Sequence, residues 1–297
     1  MPAAAPTTPR PGRVPLPTSF GGVAAVSERH GFWLLGWQIL FAVATTLVAV
    51  WTFEVAWGRA IQRAISALPD DGRIEGGRLE WPEPKPRILH QGPFIAFVVD
   101  PVGLRETGLA TDVTVSLETD RLAVRSFLGW SSIAYPPGLE LPLTRVGMTG
   151  AVATWRTPFF LAFGLASFAS LLVSWTLLSL AYGLIVWVAA AVLGRPIGFR
   201  TARRLAAASL LPASVLMAAA IALYATRQLG LEALLIAWPL HIVLGWVYCA
   251  GAWTRLRREA PDDASPGTNP FATASLRDLK GGSPAGGNPS NPFQTPG

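Results

Sequence analysis

Asp100 is the side chain in this sequence best placed for acid–base chemistry. It closes the apolar run Phe94–Val99, and the end of a buried strand is a place from which a carboxylate can reach a substrate. General acid–base work needs a second titratable group converging on the first, and Asp112 is the nearest candidate. Against that reading, Asp100 precedes Pro101-Val102-Gly103, and Asp before Pro-x-Gly is a common turn former. The structural role is the stronger of the two. His30, His90 and His241 stand far apart in the chain, without partners at the short spacings a zinc site uses. Cys249 is the single cysteine, so neither a disulfide framework nor a thiolate cluster can form. The sequence has no Gly-Lys-Ser/Thr phosphate loop, no Gly-x-Ser-x-Gly elbow and no His-Glu-x-x-His helix. No cofactor, no metal and no enzymatic activity are expected.

His241 is a different case, because it lies within an apolar segment. An ionisable group inside a bilayer is costly and usually faces a partner or a cavity. His241, Gly245, Cys249 and Ala252 share one helical face of small residues suited to close packing. Counted from the same membrane edge, His241 is level with Thr45 and Thr46 of the first apolar segment and Tyr182 of the second. An interhelical hydrogen bond among these groups is the expectation, with a proton-relay role as its rival. Ser209, Ala213, Ala218 and Ala222 give the third segment similar faces, which place it against two neighbours. The C-terminal tail repeats Asn-Pro-Phe at Asn269, Pro270, Phe271 and again at Asn291, Pro292, Phe293. Such tripeptides can dock on EH-type domains, although chance recurrence in an Asn- and Pro-rich tail is the simpler account.

The elements that must carry these residues are set by one feature. Between Arg156 and Arg195 lie 38 consecutive residues without a charged side chain. Only a bilayer makes such a run cheap, since about 20 apolar residues already cross the ~30 Å hydrocarbon layer as a helix. The composition agrees: 51% hydrophobic and 14% charged, against roughly 25% charged in soluble domains. The sequence pI is about 10.2. The basic surplus flanks the apolar segments, because residues 54–157 are nearly balanced, with 11 Lys/Arg against 12 Asp/Glu. That distribution sets orientation in a membrane and does not make a nucleic-acid face.

Parity of the basic segments gives the topology. Four spans put the tail with Arg10, Arg13 and Arg29 inside, together with the loop bearing Arg195, Arg200, Arg203 and Arg204 and the cluster Arg255, Arg257, Arg258. Arg227 alone among the flanking charges falls outside. Five spans would export both basic clusters, against the positive-inside bias. The expected fold is an α-helical polytopic membrane protein with four transmembrane helices. A small α+β extracytoplasmic domain lies between the first and second. The expected order is a disordered cytoplasmic tail (1–31), the first span (32–53), the exported domain with a leading amphipathic helix (54–157) and a long second span (158–193). A basic loop (194–204), the third span (205–225), a short outer loop (226–232), the fourth span (233–253) and a second disordered cytoplasmic tail (254–297) complete it. One helix over 158–193 would measure about 54 Å at ~1.5 Å per residue, so its surplus must tilt or project. A tight hairpin is the alternative.

Within the exported domain, Trp57, Ile61, Ile65 and Leu68 form one apolar helical stripe, stopped by Pro69-Asp-Asp-Gly72. Strand signals follow. Ile74 and Leu79 flank Gly76-Gly77 as in a hairpin, Phe94–Val99 reads as a buried central strand, and Val113–Leu117 and Leu122–Val124 alternate about a turn at 118–121.

Three motifs in this plan carry a resemblance: "I-x-G-G-x-L" at Ile74–Leu79, "FIAFVVDPVG" at Phe94–Gly103 with the hairpin "VTVSLETDRL" after it, and "GRPIGFRTARR" at Gly194–Arg204. Over residues 33–255 the chain resembles a family of bacterial polytopic membrane proteins labelled maltodextrin-utilisation-protein-like, related in architecture to Yip-type membrane proteins. The resemblance implies a bacterial inner membrane and no activity or catalytic residues. The functional expectation is a non-enzymatic protein whose exported domain senses or binds a partner at the outer face. A transporter accessory subunit or small permease acting as an oligomer is the alternative, and an envelope enzyme the third class. The partners expected are the lipid bilayer and either a second copy or another membrane protein, with no nucleic acid; the ligand is not legible.

Overall fold

The computed structural model describes residues 16–29, 31–103, 109–195 and 197–256. His30, Arg257, Arg258 and both Asn-Pro-Phe copies lie outside the described residues. Four helices are long and apolar enough to cross a membrane: Gly31–Ser66, Arg145–Val192, Phe199–Ala225 and Leu231–Trp253. The first is continuous but composite. Helix α2 (Gly31–Phe53) passes through one π-helical turn (Glu54–Gly58) into α3 (Arg59–Ser66). Eight strands follow, then α4 (Arg145–Val192), α5 (Phe199–Ala225) and α6 (Leu231–Trp253).

Burial in the bundle runs inside out relative to a soluble protein. Leu40, Leu47, Leu161, Leu165, Leu177, Ile185, Trp238 and Val243 are exposed on α2, α4 and α6. The buried residues of α5 are mostly small, and every position from Leu205 to Ser214 is buried. Small side chains let backbones approach, and in lipid that close packing replaces the hydrophobic drive. On α4, a β-carbon at Gly183 would stand 2.8 Å from the Arg203 Cα, so only glycine fits that crossing. Helix α5 packs against α1, α2, α4 and α6, not against the two neighbours expected. Ser209 and Ser214 donate to the carbonyls of Ala206 and Leu211, each at 2.7 Å, so their buried hydroxyls are satisfied within the helix.

One expectation needs correcting at the N-terminus. Residues 20–28, expected within a disordered tail, form helix α1 (Phe20–Glu28), capped by Ser19, whose Oγ accepts from the Gly22 amide at 3.1 Å. Val23, Ala24 and Val26 are buried against α5 and α6. The Phe20 ring lies 5.0 Å from that of Tyr248, over Gly251, where a β-carbon would stand 2.7 Å from it. Fully burying a valine contributes roughly 1.5–3 kcal/mol. Two such residues offset part of the ordering cost, about 1–2 kcal/mol per residue, that the Pro- and Ala-rich composition suggested would go unmet.

Helix α4 begins at Arg145, thirteen residues before the expected start, with Thr144 Oγ1 accepting from the Gly147 amide at 3.1 Å. It is one 48-residue helix and not a hairpin. Its first turns belong to the sheet region: Met148 and Val152 pack on a core of Ile65, Leu68, Ile74, Leu79, Leu89, Val99, Tyr135 and Leu143. The turns that precede the apolar run thus lie outside the bundle.

Two sheets make up the rest. Strands β1 (Arg73–Glu75), β2 (Arg78–Glu80) and β8 (Leu141–Pro142) form a three-stranded sheet of order β2-β1-β8. Strands β3 (Arg87–Gln91), β4 (Ile95–Asp100), β5 (Val113–Glu118), β6 (Arg121–Ser126) and β7 (Gly129–Ala134) form a five-stranded sheet in sequence order. Its β4–β5 pair is parallel and the other three are antiparallel. Strand β4 is paired on both sides and buried over almost its whole length, which explains its continuous apolar run. Val99, fully buried, belongs to that apolar core, with Arg87 opposite it at the edge on β3. Val99→Asp is expected to destabilise the sheet region by several kcal/mol, the effective penalty for taking an ion out of water even beside a partner. Limited proteolysis in detergent should then cut residues 73–142 while the helices stay protected.

Candidate functional site

The paired-carboxylate reading fails on register. Ile95 pairs with Val113 and Asp100 with Glu118, so the parallel strands carry Asp112 at one end of the sheet and Asp100 at the other. Six residues at ~3.3 Å each separate them along the strands. Asp100 is buried at the far end. Asp112 instead accepts a 2.7 Å hydrogen bond from the Tyr224 hydroxyl at the last turn of α5.

That bond belongs to a seam between sheet and bundle. Phe94, just before β4, stands edge-on to Tyr224 with ring centroids 5.0 Å apart. Ala56, Phe94 and Tyr224 are buried together, with Trp57, Leu231 and Leu234 around them. The Asp112 amide donates to the Pro93 carbonyl at 3.0 Å, and the Val113 amide to that of Phe94 at 3.1 Å, so the two strand starts move as one piece.

Beside the seam a cleft of about 240 Å³ opens, and two separate elements bring arginines to it while a third brings a histidine. Arg59 and Arg63, four residues apart on α3, face it together above a floor of Ala56 and Ala60. Arg227 comes from the α5–α6 turn. Its φ of 63° is the left-handed conformation usually left to glycine at a helix end. The Arg227 amide donates to the Tyr224 carbonyl and the Gln228 amide to that of Leu223, both at 2.9 Å, which closes α5 and aims Arg227 at the cleft. His90 on β3 completes the wall. A β-carbon on Gly92 would lie 2.9 Å from His90 Nε2, so the glycine makes room for the ring. Partial burial, and then the charge of Arg63, hold the His90 pKa below its usual value. Among the described residues, no carboxylate forms an ion pair with Arg59, Arg63 or Arg227. Nearby, Glu54 is paired with Arg156 at 2.6 Å. Three unneutralised guanidiniums and a histidine around a small cleft can bind an anion with bidentate geometry.

Two other recesses are less organised for a ligand. A larger one, about 450 Å³, is lined by Phe199, Arg200, Arg203 and Arg204, all from the first turns of one helix. The third, about 400 Å³ on β5–β7, has its charges matched internally, with Arg125 to Glu118 at 2.6 Å.

The remaining sequence-predicted residues separate. His241 is half-buried, and its Nδ1 is hydrogen-bonded to the Trp238 carbonyl one turn back on its own helix. Tyr182 lies against Trp246, ring centroids 4.3 Å apart, and Thr45 and Thr46 are buried on α2. The expected contact of His241 with these three does not form. Gly245, Cys249 and Ala252 do form a buried face of α6. Arg195 lies over the Trp253 ring at 5.6 Å and Arg255 over Phe20 at 5.8 Å, at the end of the bundle away from the sheets. Arg200, Arg203 and Arg204 stand at that same end, on the first turns of α5. Sequence reasoning passed over Arg59 and Arg63, whose only signal was their i, i+4 spacing. It noted Arg227 solely as the odd charge out. Among the described residues no group of three His, Cys, Asp or Glu side chains comes together as a metal site requires.

Comparison with protein-family profiles, with curated proteins and with solved structures finds no match to this chain. The geometry therefore carries the functional reading. The Tyr224–Asp112 bond should be the clasp of the seam. Tyr224→Phe is expected to cost about 1.5–3 kcal/mol, the range for a hydrogen bond to a charged group. The measurement is faster hydrogen exchange at the amides of Asp112 and Val113, with the exchange of β6 and β7 unchanged.

Proposed function

We propose that this chain is a non-enzymatic, multi-pass protein of a bacterial inner membrane whose exported sheet domain binds a phosphate-bearing anion at the outer membrane surface. In this reading both termini and the 194–204 loop are cytoplasmic, and residues 54–157 face outward. The observation that carries it is the cleft between sheet and bundle, where Arg59, Arg63, Arg227 and His90 converge from three segments of the chain. A lipid headgroup and a free phosphate compound share the chemistry such a cleft recognises. Holding the ligand where strands β4 and β5 meet α5 would make its occupancy felt on both sides of the seam, as a sensing domain requires. The resemblance to the maltodextrin-utilisation-protein-like family implies no activity and adds nothing to this step. The enzyme reading loses its support with the separation of Asp100 from Asp112.

Orientation is tested first. In a Cys249→Ala background, single cysteines replacing the exposed Ile133 and Arg200 are probed on intact cells with a membrane-impermeant thiol reagent. Ile133→Cys is expected to label from outside and Arg200→Cys only after lysis; the reverse pattern refutes the topology.

Binding is tested on the full chain in lipid nanodiscs. Inorganic phosphate in neutral nanodiscs is one arm and phosphatidylglycerol-containing nanodiscs the other, which separates soluble from lipid phosphate. Arg63→Gln is expected to weaken anion binding about tenfold, the equivalent of one charge-assisted hydrogen bond at ~1.4 kcal/mol. The sign of the pH dependence follows from His90. Its lowered pKa keeps it neutral near pH 7, and a bound anion favours the protonated ring, so binding takes up a proton. In the phosphatidylglycerol arm, whose phosphodiester keeps its single charge over this range, affinity should therefore rise as pH falls below about 6.5, the unperturbed histidine value, and His90→Gln should flatten that rise. For the empty protein the sign is opposite. The folded state takes the proton less readily than the unfolded chain, so acidification over the same range costs stability.

A further inference from the structure

We propose that the β6–β7 hairpin tip, Phe127-Leu128-Gly129-Trp130, is a lipid-contacting wedge that rests in the interfacial layer of the bilayer beside the bundle. The inference uses the reading of the four helices as membrane spans and is independent of the anion in the arginine cleft.

Register fixes the direction of the tip. Ile95 pairs with Val113, Val113 with Ser126, and Ser126 with Gly129, so these four residues form one row across the sheet. Phe94 and Asp112 lie one residue beyond that row, and both are held to Tyr224 on the last turn of α5. Phe127 and Leu128 lie beyond the same row, so the β6–β7 turn points the same way, toward the end of a span. Strand β7 is two strand spacings from β5, about 10 Å, which carries the tip sideways. It meets no helix there: Phe127, Leu128 and Trp130 are 58, 73 and 69% exposed.

The chemistry of the tip fits lipid. A two-residue hairpin turn in water favours Asn-Gly or Asp-Gly, whereas this one carries Phe-Leu followed by Gly-Trp. Three large apolar side chains at a turn are an unpartnered surface, and Trp is enriched where a membrane meets water. The turn is braced, with the Leu128 amide donating to Ser126 Oγ at 3.2 Å and Gly129 at φ 131°. The nearest charge, Arg125, is already neutralised by Glu118 at 2.6 Å and so does not oppose insertion. At the same end of the bundle, Trp51 and Trp155 are also exposed, and Trp155 adjoins the Arg156–Glu54 ion pair. These aromatics mark a belt, and the tip reaches toward it from the side of the sheet.

The test uses the full chain in lipid nanodiscs, in a Cys249→Ala background, with an environment-sensitive fluorophore on one of three cysteines. Leu128→Cys reports the tip. Ile133→Cys, four residues up the same strand and about 13 Å from the tip row, reports the sheet away from it. Leu165→Cys reports the outer side of α4. Quenching by doxyl-labelled lipid and by aqueous iodide is measured at each. The tip label is expected to be quenched by lipid doxyl groups placed near the headgroup and to be several-fold less sensitive to iodide than the Ile133 label. Equal iodide quenching at both positions, without lipid quenching at Leu128, overturns the proposal. Protection from iodide without lipid quenching, as a second copy seated on the tip would give, overturns it too. In either case lipid quenching at Leu165 shows that the span reading stands and only the wedge has failed; its absence removes the spans and the wedge together.

Discussion

From Leu205 to Ser214 the central helix α5 presents small residues and leucines to neighbours on every side, and the rest of the molecule is arranged around that column. In a bilayer the lipid is as apolar as leucine, so helices gain by fitting backbones closely and not by hiding oil from water. Gly183 against the Arg203 backbone is where that fit admits no side chain. Because α5 is held on all sides, its two ends are well defined. One end receives α1 among the arginines; the other carries Tyr224 to the sheets.

The seam at Tyr224 turns the bundle of apolar helices into a platform. A sheet tethered only through its chain connections would tumble beside it. Here the starts of β4 and β5 are fastened to the end of α5 by one charged hydrogen bond and one aromatic contact. Two further elements hold the sheet from the flanks. Helix α3 continues α2 without a break, and the first turns of α4 lie within the sheet's own core. The arginine cleft and the apolar β6–β7 tip are both consequences of this fastening, since each depends on which end of the sheet faces the bundle.

The long apolar run 158–193 shows how one constraint serves two purposes. Its length exceeds what a bilayer needs, and the helix extends further still, back to Arg145. The additional turns bury Met148 and Val152 against Leu143 and Tyr135, so the helix leaves the bundle as part of the sheet's core. The Arg156–Glu54 ion pair joins α4 to the start of the π-helical turn, just where both helices leave the apolar zone. A β-carbon at Gly58 would stand 2.5 Å from the Glu54 carboxylate, so a larger residue there would have to displace that flexible arm of the pair.

The four apolar helices, the strand Phe94–Val99, the hairpin about Gly76-Gly77 and the alternation of Val113–Leu117 were legible in the sequence. Each depends on local periodicity or on unbroken apolar length, and those are properties of a contiguous segment. Helix α1 was not, because its stripe of Phe20, Val23, Ala24 and Val26 is too short to stand out from the Pro-rich residues before it. Its burial depends on a groove made by α5 and α6. The arginine site was equally hidden, since Arg59, Arg63, His90 and Arg227 are spread over nearly 170 residues and converge only when the sheet docks. His241 shows the converse: helical depth placed it level with Thr45 and Tyr182, but the rotation of α6 turned its ring back to Trp238. The sequence by itself determined which segments are helix or strand and which are apolar enough for a membrane. The tertiary structure alone decided which polar groups meet, because that depends on helix rotation, on strand register and on the parallel pairing of β4 with β5.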